Sequence, residues 1–303
     1  MELKTTEQLL TWKPEGTKPV MTVAGSHELH ILEAVLKAID QGAADAIFCG
    51  KEKETADILR ELGRDPADFD LRNTPKGMTD SELCVEFIKK GESNFLVKGW
   101  IETTDLLHPV VKKENRLRTG RTMSHMAFHW LPSYHKAIVN TDGGMNTYPD
   151  LKTKAEIVYN AVETLRALGY EKPKVACLAC KETVDEKMPE TKDARALQEM
   201  AEADEFGKCV VVGPLSYDIA MSKEIAKVKH FDSPYCEDFD VLLQPNIHTA
   251  NIMGKSWIVN AGAILGGVVV GCKVPIVLTS RGSSAEEKFL SILLAGQIAA
   301  GAK

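Results

Sequence analysis

The alternation of short apolar segments with amphipathic segments constrains the fold of this chain most strongly. Residues 18–23 form an apolar run of strand length, and apolar residues then recur at helical spacing from Leu29 to Ile39. Gly42 ends the helical pattern, and residues 46–50 form the next apolar run. A strand, a helix and a second strand in this order predict a βαβ unit, and such units build parallel sheets.

The same alternation continues to the end of the chain. Ser26 is predicted to cap the first of these helices. Further strands are predicted at residues 95–97, 136–140, 174–178, 209–212, 240–243 and 276–278, and further helices at 79–90, 154–168, 194–203 and 286–295. Strands that alternate with helices throughout predict an open α/β architecture. So many strands in 303 residues favour two sheets over one.

The composition of the chain indicates which kinds of binding partner are unfavourable. Hydrophobic residues make up 44% of the chain and charged residues 26%, and the formal net charge is -6. That charge argues against nucleic acid or an anionic membrane as the main partner. The apolar stretch 261–272 is shorter than the ~20 residues of a bilayer span, which predicts buried structure. Seven cysteines, an odd number, and an N-terminus unlike a signal peptide predict reduced thiols and a cytoplasmic protein.

Two further polar clusters carry weaker functional signals, one of arginines and one of histidines. Arg116, Arg118 and Arg121 could form a solvated face or meet a polyanionic ligand, and the sequence does not decide between them. His125 and His129 have the spacing of a helical metal pair but lack the glutamate of a metalloprotease motif. Structural histidines are the favoured interpretation, and no metal site is predicted.

A polar segment between the predicted strand 276–278 and the predicted helix 286–295 has the strongest functional signal. It presents hydroxyls, backbone N–H groups and one guanidinium, from Thr279, Ser280, Arg281, Gly282, Ser283 and Ser284. Ligands of open parallel sheets bind beyond the carboxyl ends of strands, near helix N-termini, so this segment suits a phosphate. A structural alternative has Ser284 cap the helix and Glu286 and Glu287 complement its dipole. That alternative leaves the charge of Arg281 unexplained.

Two more polar loops follow predicted strands. Residues 244–255 carry amide, imidazole and ammonium donors, and Asn251 and Lys255 share one helical face because they are four residues apart. Residues 213–218 begin with Gly213 and Pro214. Polar loops at several strand ends predict a cleft for a small molecule.

Taken together, these segments resemble the phosphate acetyltransferase/butyryltransferase family. The resemblance rests on residues 182–184, 187–189, 213–215, 251–252 and 279–281. The chain length and residues 121–125 are more similar to the butyryltransferases. The resemblance is strong from about Arg116 to the C-terminus and weaker before it.

The resemblance implies a fold and an assembly. The fold is two open α/β domains with mainly parallel sheets, like isocitrate and isopropylmalate dehydrogenases, with the active site in the cleft between the domains. We place one domain at residues 1–137 plus 270–303 and the other at 138–269. The family is usually dimeric and uses no metal or nicotinamide, and coenzyme A is its substrate.

The resemblance also implies a reaction, in which an acyl group moves between coenzyme A and inorganic phosphate. Ser280 and Arg281 would contact the reacting groups. Glu287 is the preferred base, because acetyltransferase-type members carry Asp at that spacing. Glu286 competes with it, because butyryltransferase-type members carry Glu one residue earlier. Substrate contacts are expected from Asn251, Lys255, Thr279, Gly282, Ser283, Gly213 and Pro214, with the loop of Asn251 and Lys255 facing the Ser280 segment.

Rival hypotheses remain for the function. The acyl group is predicted to be butyryl or similarly short, with acetyl as an alternative. A coenzyme A-binding regulatory protein without turnover is a second alternative. A metal-dependent decarboxylating dehydrogenase would need clustered aspartates near the strand ends, which the sequence lacks.

Overall fold

A computed structural model describes residues 2–280 and 282–301 of the chain. In this part of the chain the strands are β1 (Val20–Ala24), β2 (Asp45–Gly50), β3 (Asp70–Asn73), β4 (Phe95–Lys98), β5 (Ser124–Trp130), β6 (Ile138–Thr141), β7 (Lys174–Leu178), β8 (Val210–Leu215), β9 (Val241–Leu243), β10 (Ile264–Val270) and β11 (Ile276–Val277). The helices are α1 (Thr6–Leu10), α2 (Leu29–Gln41), α3 (Glu52–Glu61), α4 (Asp80–Lys89), α5 (Thr103–Val111), α6 (Leu151–Ala167), α7 (Pro189–Glu202), α8 (Tyr217–Met221), α9 (Lys223–Val228), α10 (Ile247–Ala261) and α11 (Ala285–Gly301).

The chain divides into two compact units. Unit I comprises Thr6–Arg121 and Gly266–Lys303, and unit II comprises Met1–Thr5 and Thr122–Leu265. Each unit contains strands that alternate with helices, so the predicted α/β architecture is confirmed. Among the helices described, none combines the length and the apolar character needed to cross a membrane.

The sheet of unit I has the strand order β3-β2-β1-β4-β11-β10. The pairs β2–β3, β1–β2, β1–β4 and β4–β11 are all parallel, and only β10 pairs in the antiparallel direction, with β11. The loops that follow β1, β4 and β11 therefore leave the sheet at one common edge. That edge is where open parallel sheets bind ligands.

Helix α2 shows how local sequence sets an element of unit I. Leu32, Val35 and Leu36 are buried in the unit core, as the helical spacing predicts, and burial of each contributes about 1.5–3 kcal/mol. Leu29, at the first position of the helix, is exposed, and Ile39 is half-buried. Gly42 ends the helix in the left-handed conformation at φ 76°. The predicted cap at Ser26 is wrong, because Glu28 is the N-cap and its carboxylate accepts from the N–H groups of His30 and Ile31. The Ser26 hydroxyl lies instead 2.9 Å from that of Thr55, in the core.

The sheet of unit II has the strand order β5-β6-β9-β7-β8. Its pairs β6–β9, β7–β9 and β7–β8 are parallel, and β5 runs antiparallel to β6. The apolar core includes Phe239, Leu242 and Leu215, all fully buried. Burial of whole apolar side chains from strands and helices is the main source of stability in such a layer.

A buried ion network lies where β6, β7 and β9 begin. The Lys136 ammonium is fully buried and donates to Asp240 Oδ1 at 2.6 Å, and it lies 2.9 Å from Asp238 Oδ1. Lys174 donates to the other Asp238 oxygen at 2.6 Å. Burial by itself would raise the pKa of Asp238, but the hydrogen bonds and charges of Lys174 and Lys136 outweigh it and lower that pKa to about 2.

Replacement of Asp238 by Asn is expected to lower the free energy of unfolding at pH 7 by about 1–2 kcal/mol, because two ammonium groups lose a charged acceptor. A lowered native pKa adds stability above the pKa of the unfolded side chain, near 4, and that stability disappears as pH falls through about 2. Urea unfolding between pH 7 and pH 2 should therefore show a flatter profile for Asp238→Asn than for the wild type. Asp232→Asn, at an exposed position of unit II, is the matched control and should retain the wild-type profile.

Candidate active site

Loop 278–284 follows β11 and leads directly into α11. Ser280, Gly282 and Ser284 are exposed, and Thr279 and Ser283 are half-buried. The Gly282 N–H donates to Ser280 Oγ at 3.3 Å, and the Ser283 N–H donates to the Ser280 carbonyl at 3.1 Å. The loop thus turns tightly around Ser280. Arg281, the predicted phosphate partner, lies outside the described residues.

The first turn of α11 is closed by a reciprocal pair of hydrogen bonds. The Glu287 N–H donates to Ser284 Oγ at 3.2 Å, and the Ser284 N–H donates to Glu287 Oε2 at 3.1 Å. This arrangement is a capping box, in which two helix-end N–H groups find partners. The predicted cap at Ser284 is confirmed. It holds one carboxylate oxygen of Glu287 at a defined place beside the loop.

Glu286 lies in the same turn but in a different environment. Its carboxylate is exposed and forms no hydrogen bond or ion pair within residues 2–280 and 282–301. Lys288, two residues further along the helix, is buried, and its Nζ lies 3.6 Å from Glu28 Oε2. Glu28 is the N-cap of α2, so this contact joins the starts of α2 and α11.

The loop after β4 leaves the sheet of unit I beside loop 278–284. Leu96 and Val97 pair in parallel with Ile276 and Val277, and the two strands end together. The sequence predicted β4 but not a role for the residues that follow it. Gly99 and the exposed Trp100 directly after an apolar run were the signal that could have indicated one.

In unit II, Asn251 and Lys255 project from one face of α10, as their spacing predicts. Both side chains are exposed. Asn251 Nδ2 donates to the Gly143 carbonyl at 3.2 Å, and Asn246 caps the helix by accepting from two backbone N–H groups. Lys255 forms no ion pair with any residue that the structure describes.

Two buried polar side chains, Asn140 and His129, contact α10 and fix the position of this helix. Asn140 Nδ2 donates to the Ala250 carbonyl at 2.7 Å. At Gly254 an added Cβ would lie 3.2 Å from both Asn140 Nδ2 and His129 Nε2, so a glycine lets α10 approach β6 and β5 closely. These contacts hold the backbone of α10 on both sides of Asn251.

His125 and His129 belong to β5 and not to a helix, which corrects the spacing argument. His129 Nδ1 lies 3.0 Å from the Ala127 carbonyl, and the ring contacts Trp257 edge-on. Burial lowers the pKa of His129 to about 4, so the ring is neutral at pH 7. Within the described ranges, no group of three His, Cys, Asp or Glu side chains is arranged to hold a metal ion.

Comparison with known proteins identifies the family. The family profile described as "Phosphate acetyl/butaryl transferase" matches residues 70–296, which is more than half of the chain. The chain belongs to the phosphate acetyl/butyryl transferase family. This finding confirms the family predicted from the sequence.

Relatives and solved structures agree along most of the chain. A phosphate butyryltransferase of Clostridium acetobutylicum is 39% identical over 97% of both chains. A phosphate acetyltransferase of Thermotoga maritima is 35% identical over 94% of this chain and 96% of the relative. The structure of a branched-chain phosphotransacylase from Enterococcus faecalis superimposes with a TM-score of 0.79 at 31% identity, covering 93% of this chain and 99% of the other.

The fold extends beyond the family. A 4-hydroxythreonine-4-phosphate dehydrogenase from Klebsiella pneumoniae matches with a TM-score of 0.60 at 12% identity, over 93% of this chain and the whole of the other. At that identity the match shows the fold alone. It confirms the predicted likeness to a dehydrogenase-type α/β fold.

The predicted loop at residues 213–218 begins too early, so that part of the prediction is wrong. Gly213 and Pro214 lie inside β8 and are buried, and do not follow the strand. A Cβ at Gly213 would lie 2.7 Å from Cys177 Cβ, so close packing of β7 against β8 explains the glycine. Their role in substrate binding stays a prediction.

An apolar cavity of about 420 Å³ lies at the carboxyl ends of β7 and β9 in unit II. Leu178, Met188, Tyr217 and Met253 contribute to its lining. Thr249 and Met253 reach it from α10, two residues away from Asn251 and Lys255 and therefore on the opposite face of that helix. The cavity and the Asn251/Lys255 face are thus separate features of unit II.

Proposed function

We propose that this chain catalyses the reversible reaction acyl-CoA + phosphate = acyl phosphate + coenzyme A. The observation that carries the proposal is the 39% identity to a phosphate butyryltransferase over 97% of both chains. Loop 278–284 and the capped start of α11 supply the hydroxyl and carboxylate groups that the reaction needs. These groups favour an enzyme over a binding protein without turnover.

In the direction of acyl-CoA synthesis, the coenzyme A sulfur attacks the carbonyl carbon of the acyl phosphate. The C–S bond forms, the bond from carbon to the phosphate oxygen breaks, and inorganic phosphate leaves. A free thiol has a pKa of ~8.5, so a base that accepts its proton increases the thiolate available near neutral pH. We assign the base to Glu287, with Glu286 as the competing residue.

Arg281 and Ser280 are proposed to contact the reacting groups. A guanidinium can hold the phosphoryl group with two parallel hydrogen bonds and offset charge that develops on the leaving phosphate. The Ser280 hydroxyl would donate to the reacting carbonyl or to the thiolate. Its exposure at the turn leaves it accessible to a substrate.

The remaining predicted contacts are proposed as substrate-binding residues: Thr279, Gly282, Ser283, Asn251, Lys255, Gly213 and Pro214. Lys255 adds an exposed positive charge that suits a phosphate or phosphorylated substrate. Coenzyme A is a substrate in this scheme and not a prosthetic group, and no metal takes part in the proposed steps. We retain residues 1–137 plus 270–303 and 138–269 as the proposed functional domains.

We also propose that the protein is a cytoplasmic homodimer. Ile252 and Val259 support the assembly, because they are seven residues apart on α10 and expose 68% and 79% of their surface. The thiols support the compartment, because all seven cysteines are unpaired in the structure. Light scattering would measure the mass, and a monomer at micromolar concentration would contradict the dimer.

Purified protein mixed with a short acyl-CoA and phosphate is expected to release free thiol, with butyryl-CoA among the best substrates. A panel of straight and branched acyl-CoAs from C2 to C6 would measure the acyl preference. One methylene changes discrimination by only ~1–3 kcal/mol, so neighbouring chain lengths should overlap. Absence of thiol release with every member of the panel would contradict the proposed function.

Arg281→Ala is expected to lower turnover ~10²-fold or more, because a charge partner of the leaving phosphate is lost. Arg281→Lys should recover only part of the loss, since an ammonium cannot hold two phosphate oxygens in parallel. Arg60→Ala, on the exposed surface of α3, is the matched control. Near-normal turnover of Arg281→Ala would remove this residue from the mechanism.

Glu287→Gln is expected to lower turnover by ~10²–10⁴-fold, the usual contribution of a general base. Glutamine at this position can still accept from the Ser284 N–H, so the capping box and the fold should persist. Glu286→Gln is the internal control and should retain turnover. The reverse pattern would transfer the role to Glu286, and normal turnover of both variants would show that neither acts as the base.

A further inference from the structure

The strand order of unit I reverses at β1. The chain proceeds from β1 outward through β2 to β3, and it then returns to place β4 on the other side of β1. The loops that leave β1 and β4 therefore run to opposite sides of the sheet. In open α/β sheets, such a reversal opens a crevice at the carboxyl ends of the strands, and ligands bind there.

A cavity of about 480 Å³ lies at the carboxyl end of β4, the strand next to this reversal point. It is lined by Lys98, Gly99, Trp100, Ile101, Glu102 and Asp105. Its volume is within the range of ligand sites, which is ~300–1,000 Å³. The loop after β4 and the start of α5 thus form a concave surface large enough for a bicyclic ring.

Two glycines hold the loop after β4 against the end of β1. The Gly99 N–H donates to the Ala24 carbonyl and the Trp100 N–H donates to the Gly25 carbonyl, each at 2.8 Å. A side chain at Gly99 would collide with the Gly25 carbonyl oxygen, and one at Gly25 would meet Ile101. The close backbone contact fixes the loop and directs Trp100 outward.

Trp100 exposes 62% of its surface on this fixed loop. A tryptophan has a large apolar surface, and a monomer usually buries most of it. An exposed indole on a backbone that two hydrogen bonds hold in place suits a stacking surface for a flat ligand. Exposed aromatic rings stack nucleobases in this way, irrespective of the rest of the nucleotide.

We propose that this cavity binds the adenine base of coenzyme A, stacked on Trp100. The inference rests on the proposed function and names the subsite for one part of its substrate. Asp105 is exposed, and its carboxylate has no partner among residues 2–280 and 282–301. It can accept from the 6-amino group of adenine.

The position of the cavity agrees with the proposed chemistry. Loop 278–284 leaves β11, and the Trp100 loop leaves the neighbouring parallel strand β4 at the same sheet edge. A long substrate with its thiol near Ser280 can therefore reach residues 99–102 along that edge of unit I. The base is therefore bound within the same unit as the residues proposed to act on the thiol.

Truncated substrates test the assignment. Trp100→Ala is expected to raise KM for butyryl-CoA about tenfold with little change in kcat, the effect of losing one stacked base. KM for butyryl-pantetheine, which lacks the adenine nucleotide, should not change. Trp100→Phe should recover most of the loss, and Tyr148→Ala, an exposed aromatic of unit II, is the matched control. An equal rise in KM for both substrates would assign Trp100 to the pantetheine or acyl part and overturn the proposal, as would no rise for either.

A binding measurement separates this inference from the proposed function. Adenosine 3′,5′-bisphosphate, titrated calorimetrically, reports the adenine subsite without turnover. The wild type should bind it about tenfold more tightly than Trp100→Ala does, and Asp105→Asn should also weaken binding. Such a difference without thiol release by the wild type would support the subsite and contradict the acyltransfer. Normal thiol release with equal binding by wild type and Trp100→Ala would overturn the subsite alone.

Discussion

The parallel pairing of β4 with β1 on one side and β11 on the other determines what unit I presents to a ligand. Parallel neighbours end at the same edge, so the three following loops are brought together although they lie far apart in the chain. Backbone hydrogen bonds from Gly99 and Trp100 to the end of β1 then fix one loop against another. Loop 278–284, the Trp100 loop and the start of α2 are consequences of this one arrangement.

The sequence predicted the elements of this arrangement better than their pairing. Alternation of apolar runs with helical spacing located α2, α4, α6 and most strands to within a few residues. It could not predict that β11 inserts next to β4, because that contact joins residues about 180 positions apart and depends on the packing of both faces. For the same reason the sequence offers only a weak signal at Gly99 and Trp100, because the exposure of the indole becomes visible only in the folded unit.

The errors have local physical causes. Serine is a common N-cap residue, but the Ser26 hydroxyl forms a hydrogen bond with the Thr55 hydroxyl in the core. The carboxylate of Glu28 caps α2 instead. Gly213 and Pro214 read as a turn, because glycine and proline usually interrupt strands. Close packing of β7 on β8 instead requires the small residue inside the strand. In both places tertiary contacts overrode a valid local preference.

The capping box at the start of α11 stabilises the helix end, and it also helps to decide between Glu287 and Glu286 as the base. A capped carboxylate could be dismissed as an anchor, yet the cap uses only Glu287 Oε2, and a carboxylate has a second oxygen. The hydrogen bond removes the rotational freedom that an exposed side chain such as Glu286 must lose on meeting a substrate, a cost of up to about 2 kcal/mol. A base acts best when its position is set before the substrate arrives. The bond that stabilises the helix end therefore favours Glu287 as the proposed base.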